Sequence, residues 1–496
     1  MTSLMKGRLT RSAVLTVGLL FALAWFGPRT ALAAGFTVNT TSDTVDVNPG
    51  NGTCADSSGN CSLRAAVMEA NALSGADTIT LPAGTFTLSR IGQNEDNSAT
   101  GDLDVAGTVS ITGSGSTNTV IDGNNTDAVF DTFIAPSGTT FNLSSLTIQH
   151  GNPTGSSFEG AGGLYIKNTV TMSMSGVSVL NNTANTSGGG IWNEGNLTIS
   201  NSTVSGNQAN GVGGGIRNAG TPAASLTVTN STISNNTAEF GGGIYDSTDG
   251  GINLAITGST LSGNQAVDRP GGTAGDFGDG GAIYATTDGG VTVSKSTLTG
   301  NTAARNGGAI YFRDDLTQAA VGTLSVTLNR VVSNTASGSG SSLYRASGNA
   351  TAERNWWGCN AGPASAPCDR VSGTVDFTPW LVLSHTASPA SISAGQSSTL
   401  TADFLSNSDA SSNLASDLTS LIGLPITFNN PVLGTVSSAQ SSIQSNGKAT
   451  ATFTAGSTTG TGHADATVDS ATVTANITIT GTPPSVTTDP VDQTVT

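Results

Sequence analysis

Gly241-Gly242-Gly243-Ile244-Tyr245, then Leu254-Ala255-Ile256, then Leu261-Ser262-Gly263-Asn264 make up one unit of a repeat that recurs along the chain. Gly188-Gly189-Gly190-Ile191 leads in the same way to Leu197-Thr198-Ile199 and Val204-Ser205-Gly206-Asn207. Gly213-Gly214-Gly215-Ile216 leads to Leu226-Thr227-Val228 and Ile233-Ser234-Asn235-Asn236. Gly280-Gly281-Ala282-Ile283 leads to Val291-Thr292-Val293 and Leu298-Thr299-Gly300-Asn301, and Gly307-Gly308-Ala309-Ile310 to Leu324-Ser325-Val326 and Val331-Val332-Ser333-Asn334. The anchoring residues Ile191, Ile216, Ile244, Ile283 and Ile310 lie 25, 28, 39 and 27 apart, so one unit carries an insertion. A period in the high twenties with three short strand-like pieces is one turn of a β-solenoid. Each piece alternates apolar residues with Ser or Thr, which sends one side chain to the lumen and the next to solvent. A lone coil cannot bury its apolar row, whereas stacked coils bury it continuously at about 4.8 Å per coil. The repeats therefore read as a right-handed parallel β-helix of about eleven coils between residues 76 and 375, a rod on the order of 50 Å long.

Corner chemistry agrees with this reading. Glycine clusters permit left-handed backbone and close approach between coils. Asn182, Asn207, Asn236, Asn264, Asn301 and Asn334 recur at one turn position, where their amides can stack as a hydrogen-bonded ladder. The Asn-x-Ser/Thr triplets that result follow from turn chemistry and are no argument for glycosylation.

Open solenoid ends expose apolar core and free strand edges, so both ends need covers. Ser62 to Ala72 reads as an amphipathic helix with Ser62 as N-cap and Leu63, Ala66, Val67 and Ala70 on one face, placed to cap the N-terminal end. At the far end Trp356 and Trp357 stand beside a cysteine pair and are expected to plug the core. Cys54 and Cys61 fall in one loop-rich stretch, Cys359 and Cys368 in another. Four cysteines in an oxidising compartment read as two disulfides, local pairing being the most economical of three connectivities.

Export follows from the N-terminus. Lys6, Arg8 and Arg11 precede an apolar run from Ala13 to Phe26 and the small-residue triplet Ala31-Leu32-Ala33, the pattern of a signal peptide ending at residue 33 and leaving Ala34 as the mature start. The run is short for a bilayer span. The whole chain carries 17 Lys and Arg against 33 Asp and Glu, and the leader takes four cations (Lys6, Arg8, Arg11, Arg29) with it. The mature chain is left with 13 against 33, a net charge of −20. With only Lys167, Lys295 and Lys448 as lysines, a phosphate-tracking groove and nucleic acid as partner are excluded. Such charge serves solubility and is also compatible with a divalent cation.

After Phe377-Thr378-Pro379-Trp380 the glycine repeats stop. Longer alternating strands begin at Ser398–Phe404, Leu424–Phe428, Lys448–Phe453, Ala464–Val468 and Ala471–Ile479, the pattern of an immunoglobulin-like β-sandwich over 380–481 held by packing alone. Gly481-Thr482-Pro483-Pro484 reads as a linker, and 485–496 as the first strand of a further domain, as in a fragment or truncated product. The domain reading is thus a leader (1–33), a cap region (34–75), the parallel β-helix (76–379), the sandwich (380–481) and a truncated module (482–496).

Cys61-Ser62-Leu63-Arg64-Ala65-Ala66 with Glu69-Ala70-Asn71-Ala72 resembles the signature of the bacterial CSLREA-domain proteins, which are exported β-helix proteins. Asp77-Thr78-Ile79-Thr80-Leu81-Pro82-Ala83-Gly84-Thr85, Gly101-Asp102-Leu103-Asp104 and Val120-Ile121-Asp122-Gly123 extend the resemblance over most of 36–380. It departs at Ala65, where the signature has glutamate. The Gly-Gly-Ala-Ile units also look like the repeats of polymorphic outer-membrane proteins and other β-helical adhesins, and 385–480 looks like invasin- and intimin-type immunoglobulin-like domains. These resemblances imply surface display and adhesion.

Parallel β-helices also host polysaccharide lyases and hydrolases, so fold alone decides nothing about catalysis. Asp102 and Asp104 alternate with Leu103 and are candidates to share a cation, calcium being the candidate ion; no other cofactor is indicated. Arg313-Asp314-Asp315 sits at a variable coil tip and reads as a solvated loop, and His150 as a turn residue. The insertion from Val267 to Asp279 makes one coil longer than its neighbours, and protruding loops on rigid scaffolds carry recognition. Asp268, Arg269, Asp276, Phe277 and Asp279 are therefore the candidate ligand-contacting residues. The reading is a noncatalytic, adhesin-like protein that binds an extracellular ligand, a glycan or cell surface, with no catalytic residue assigned. A pectin lyase-like enzyme on acidic polysaccharide and a stalk presenting a missing C-terminal domain are the alternatives.

Overall fold

The computed structural model describes residues 33–93, 95–153, 160–220, 224–248, 252–268, 277–315 and 321–481. Among them the solenoid strands form four parallel sheets of eleven, ten, nine and six strands, stacked as a right-handed β-helix. Strict alternation explains the stacking. In Asn196–Ser200, Leu197 and Ile199 are buried while Asn196 and Thr198 are exposed, and each residue faces its counterpart one coil on, Leu197 on Leu226 and Ile199 on Val228. The apolar rows merge into one core running from Phe36 to Trp357.

Two findings refine the expected coil. The short Thr-Ala or Gln-Ala steps after each ladder asparagine, such as Thr183–Ala184 and Gln208–Ala209, pair as a fourth, six-stranded sheet. The stack also starts earlier than residue 76: Gly35–Thr37 already pairs in parallel with Thr78–Thr80 as its first rung.

At the corners, Gly188 adopts φ +66°, and a Cβ on Gly189 would come within 2.3 Å of the Gly214 carbonyl oxygen, so neither position accepts a side chain. Asn182, Asn207, Asn236, Asn264, Asn301 and Asn334 form a buried ladder in which each Nδ2 donates to the next Oδ1 at 2.9–3.0 Å. The Asp369 carboxylate ends it by accepting the Asn334 amide at 3.0 Å. A second ladder runs through Ser202, Ser231, Ser259, Ser296, Asn329 and Asn355, each side-chain oxygen accepting the backbone amide of the preceding coil at 2.8–3.1 Å.

Helix α1, Leu63–Ala72, closes the N-terminal end, its first turn capped by Ser62 Oγ accepting from the Ala65 amide. Its apolar face joins the core, and its polar residues tie down the surrounding chain. Arg64 is fully buried: Nε donates to Asp43 Oδ1 at 2.6 Å, and the guanidinium also donates to the carbonyls of Ser98, Gly101 and Asp102. Glu69 accepts the amides of Gly50 and Gly52. Asn71 donates to the Asp104 carbonyl and accepts from Ala106.

Both disulfides are local, Cys54–Cys61 and Cys359–Cys368. The tryptophan pair divides its work instead of forming a double plug. Trp357 enters the solenoid core, while Trp356 enters the core of the following domain and meets Phe404 edge to face at 4.8 Å. That domain is a sandwich of two four-stranded sheets. The first holds Leu381–Ser388, Ser397–Asn407, Lys448–Ala455 and Gly434–Ser437, and the second Ser391–Ser393, Ala471–Thr480, Gly460–Val468 and Thr427–Val432. It is fixed to the rod by Trp356 Nε1 donating to Asp469 at 2.7 Å, by Arg330 on Asp469, by Lys295 on Asp417 at 3.1 Å, and by Arg354 on Asn413.

Candidate functional site

The outer face of the ten-stranded sheet carries the most distinctive side chains. In each rung an apolar residue points to the lumen and the next residue points out, so the register aligns Tyr165, Trp192, Arg217, Tyr245, Tyr284, Tyr311 and Tyr344 in one column over seven coils. Asp104 and Asp131, themselves in register, occupy the same position at its N-terminal end.

Four tyrosines stack face to face, with centroids 5.3 Å apart for Tyr245 and Tyr284, 4.8 Å for Tyr284 and Tyr311, and 5.4 Å for Tyr311 and Tyr344. The other half is polar. Arg217 lies 4.0 Å over the Trp192 ring, Tyr165 meets Trp192 edge on, and Glu194 accepts from the Tyr165 hydroxyl at 2.8 Å and from Trp192 Nε1 at 3.2 Å. Trp192, Arg217, Tyr245 and Tyr344 are half-buried, whereas Tyr311 is only 7 % exposed. Burial first, then the hydrogen bond to Glu194, pushes the Tyr165 phenol far above its ordinary value. Burial pulls Arg217 down against Glu194. The signal for this column in the sequence is the Ile-Tyr pair of the repeat, because alternation sends every such tyrosine outward.

Of the insertion, the structure describes Val267, Asp268 and residues 277–279. Arg269 and Asp276 lie outside the described residues. Asp279, expected as a ligand contact, is fully buried and accepts from Arg305 Nε and from the amide and Nδ2 of Asn306. Its carboxylate is a tether to the next coil, because burying an acid demands such partners. Phe277 leans on Phe240 at 5.6 Å, and Phe240 on Tyr284, so the insertion backs the tyrosine stack from the side. Asp268 is half-buried and lines a shallow depression with Ala304 and Ser337.

The candidate cation ligands have structural duties as well. Asp104 accepts the Ser98 amide at 2.6 Å, both Asp102 and Asp104 are buried, and the Asp102 carbonyl serves Arg64. Among the described residues no three metal-ligating side chains come together. Asp314, expected in a solvated loop, is buried and accepts the Gly322 amide at 3.0 Å. His150 sits in a left-handed turn at φ +55° with Nδ1 3.0 Å from Asp122. Burial raises the Asp122 carboxyl, but hydrogen bonds from Gln149, Asn124 and His150 outweigh it and hold it low.

In the lumen beneath the column, Asn193 donates to Asn218 and Asn218 to Asp246, at 2.7 and 2.6 Å. Burial pushes the Asp246 carboxyl up to about 7.

Residues 295–313 match the repeat of the Chlamydia polymorphic membrane proteins. No curated protein sequence matches the chain. Among solved structures, the adhesin InvE of Yersinia pseudotuberculosis is 27 % identical over 20 % of this chain and 27 % of its own, with a TM-score of 0.17. The A-module of the Azotobacter vinelandii mannuronan C-5 epimerase AlgE6 is 16 % identical over 64 % of this chain and 94 % of its own, with a TM-score of 0.30. Pectate lyase Pel9A is 14 % identical over 70 % of this chain and 78 % of its own, with a TM-score of 0.27. Superpositions this loose leave function to be argued from the residues.

Proposed function

We propose that this chain is an exported, noncatalytic, adhesin-like binding protein that recognises an extracellular glycan or another cell-surface group. In this reading a cleaved leader precedes a CSLREA-type cap, the solenoid and a bacterial immunoglobulin-like sandwich; residues 1–32 of the leader and the module expected over 482–496 lie outside the described residues. The observation that carries binding is the outer column from Tyr165 to Tyr344. Tryptophan, tyrosine and arginine dominate binding energy at interfaces, and here a rigid scaffold holds all three in register. The match of one repeat to a membrane-protein family supports display at a surface.

Within the column, the Tyr165 phenol is poorly suited to serve as a general base. A general base needs its proton affinity brought toward neutrality, and the Tyr165 phenol beside Glu194 is driven the opposite way. The firm joint through Trp356 and Asp469 also suits a stalk, so presentation and recognition can belong to one rod.

A glycan-array screen on residues 34–481, with and without calcium, tests the proposal. The expected result is binding without release of reducing or unsaturated sugar ends, weakened about tenfold, or about 1.4 kcal/mol, by Trp192→Ala and by Arg217→Ala. Product formation would overturn the noncatalytic reading. Binding indifferent to both substitutions would move the site away from the column.

A further inference from the structure

The inward row that starts at Asp77 continues through Val109, Phe141, Met172 and Leu197, so a carboxylate occupies the first place of an otherwise apolar column. Asp77 is only 2 % exposed. Its Oδ1 accepts the Ala34 amide at 2.7 Å, and the Ala34 carbonyl accepts the Thr78 amide at 2.9 Å, which pins Ala34 beside it. Ala34 is half-buried and Ala33 exposed. Helix α1, which packs on this strand, brings Arg64 and Glu69, and both are bonded elsewhere, to Asp43 and to Gly50 and Gly52. A carboxylate in such surroundings gains most from a positive partner, and a neutral amide is a weak one.

We infer that the Ala34 nitrogen is the counter-ion of Asp77 and becomes one only when the leader is removed. The inference rests on the export reading. Water adds across the Ala33–Ala34 peptide bond in a reaction that takes a leader peptidase as its catalyst. The Ala33 carbonyl carbon keeps the oxygen and departs as a carboxylate, and the Ala34 nitrogen takes up protons to become an ammonium. That ammonium stays where the amide was, and the first coil is closed by a partly buried ion pair the precursor lacks. Leader removal then does more than release the chain. It completes the N-terminal end of the rod.

The sign of the pH dependence follows. An α-amino group ordinarily titrates at about 8, and a carboxylate partner raises that value in the folded state. The stabilisation is fully present below about pH 8 and is lost as pH rises through the raised value.

The test compares protein beginning at Ala34 with protein that retains Ala33, each with and without Asp77→Asn. Because Ala33 is exposed, the added residue meets no obstacle and only displaces the charge. The Ala34 form should melt about 2 °C above the Ala33 form at pH 6.5, and the gap should close at pH 10 and in the Asp77→Asn pair. Acetylating Ala34, which restores a neutral amide without lengthening the chain, should reproduce the Ala33 form even if Asp77→Asn folds poorly. Equal melting at pH 6.5, or a gap that survives Asp77→Asn, overturns the ion pair. Mass measurement of the exported protein's first peptide tests the reading beneath it, and a start other than Ala34 overturns the processing step.

Discussion

The two ends of the solenoid solve one problem with opposite chemistry. At the N-terminal end a ten-residue helix lays a thin apolar face on the core, and polar side chains hold it there: Arg64 on Asp43 and three carbonyls, Glu69 on two glycine amides, Asn71 on the next segment. At the C-terminal end Trp357 fills the core, and its neighbour Trp356 anchors a whole second domain over the opening. An end that faces solvent has no apolar partner and is closed by directional bonds. An end that meets another domain can be closed by packing, and the disulfide beside each closure is nearly the same size, spanning seven residues at one end and nine at the other.

That contrast can be broken by mutation. The largest effect should come from Trp357→Ala, which empties a fully buried site and is expected to cost about 4 kcal/mol, read as faster hydrogen exchange in the last coils. Trp356→Ala should cost about as much but register in the sandwich strands around Phe404. If both variants loosened the same domain, the division of labour between the two tryptophans would be wrong. Next comes Arg64→Ala, which strands Asp43 in a buried place and should cost about 3 kcal/mol, with exchange rising in α1 and residues 98–104. Removing either disulfide by paired Cys→Ser changes should cost about 2 kcal/mol, and nearly equally, because chain-entropy loss depends on loop length.

The smallest effect, and the one of opposite sign, lies between the ends. Asp246 continues the luminal Asn193 and Asn218 column with an acid whose carboxyl is raised to about 7 from 3.8. The folded state prefers it protonated, so stability falls as pH climbs from about 4 to about 7. Asp246→Asn should therefore be nearly neutral at pH 4 and stabilising by about 1 kcal/mol at pH 8, measured by denaturant titration at both.

Much of this is legible in the sequence. Glycine-Ile anchors and alternating strands specify coil, lumen and ladder, because a solenoid repeats one local decision many times. The cap helix and its Ser62 cap were equally local. What escaped was what depends on neighbouring coils. Asp279 reads as an exposed loop acid until register brings Arg305 and Asn306 of the next coil against it. The split of Trp356 from Trp357 is implied by alternation, since adjacent residues in extended chain face opposite ways, but only a second core gives the outward one a destination. Arg64 has a motif-like setting in sequence, yet its carbonyl partners lie 34 to 38 residues away.

The asparagine ladder has a further meaning for how such a rod could change length. Every rung from Asn207 to Asn301 donates forward and accepts from the asparagine behind in the same way, while Asn182, which accepts the Gly151 amide, begins the ladder and Asp369 ends it. A duplicated coil inserted between any two rungs would inherit a complete set of bonds and leave none orphaned. The number of coils is thus free to drift by duplication or loss of whole units, while the closures at the two ends stay as they are.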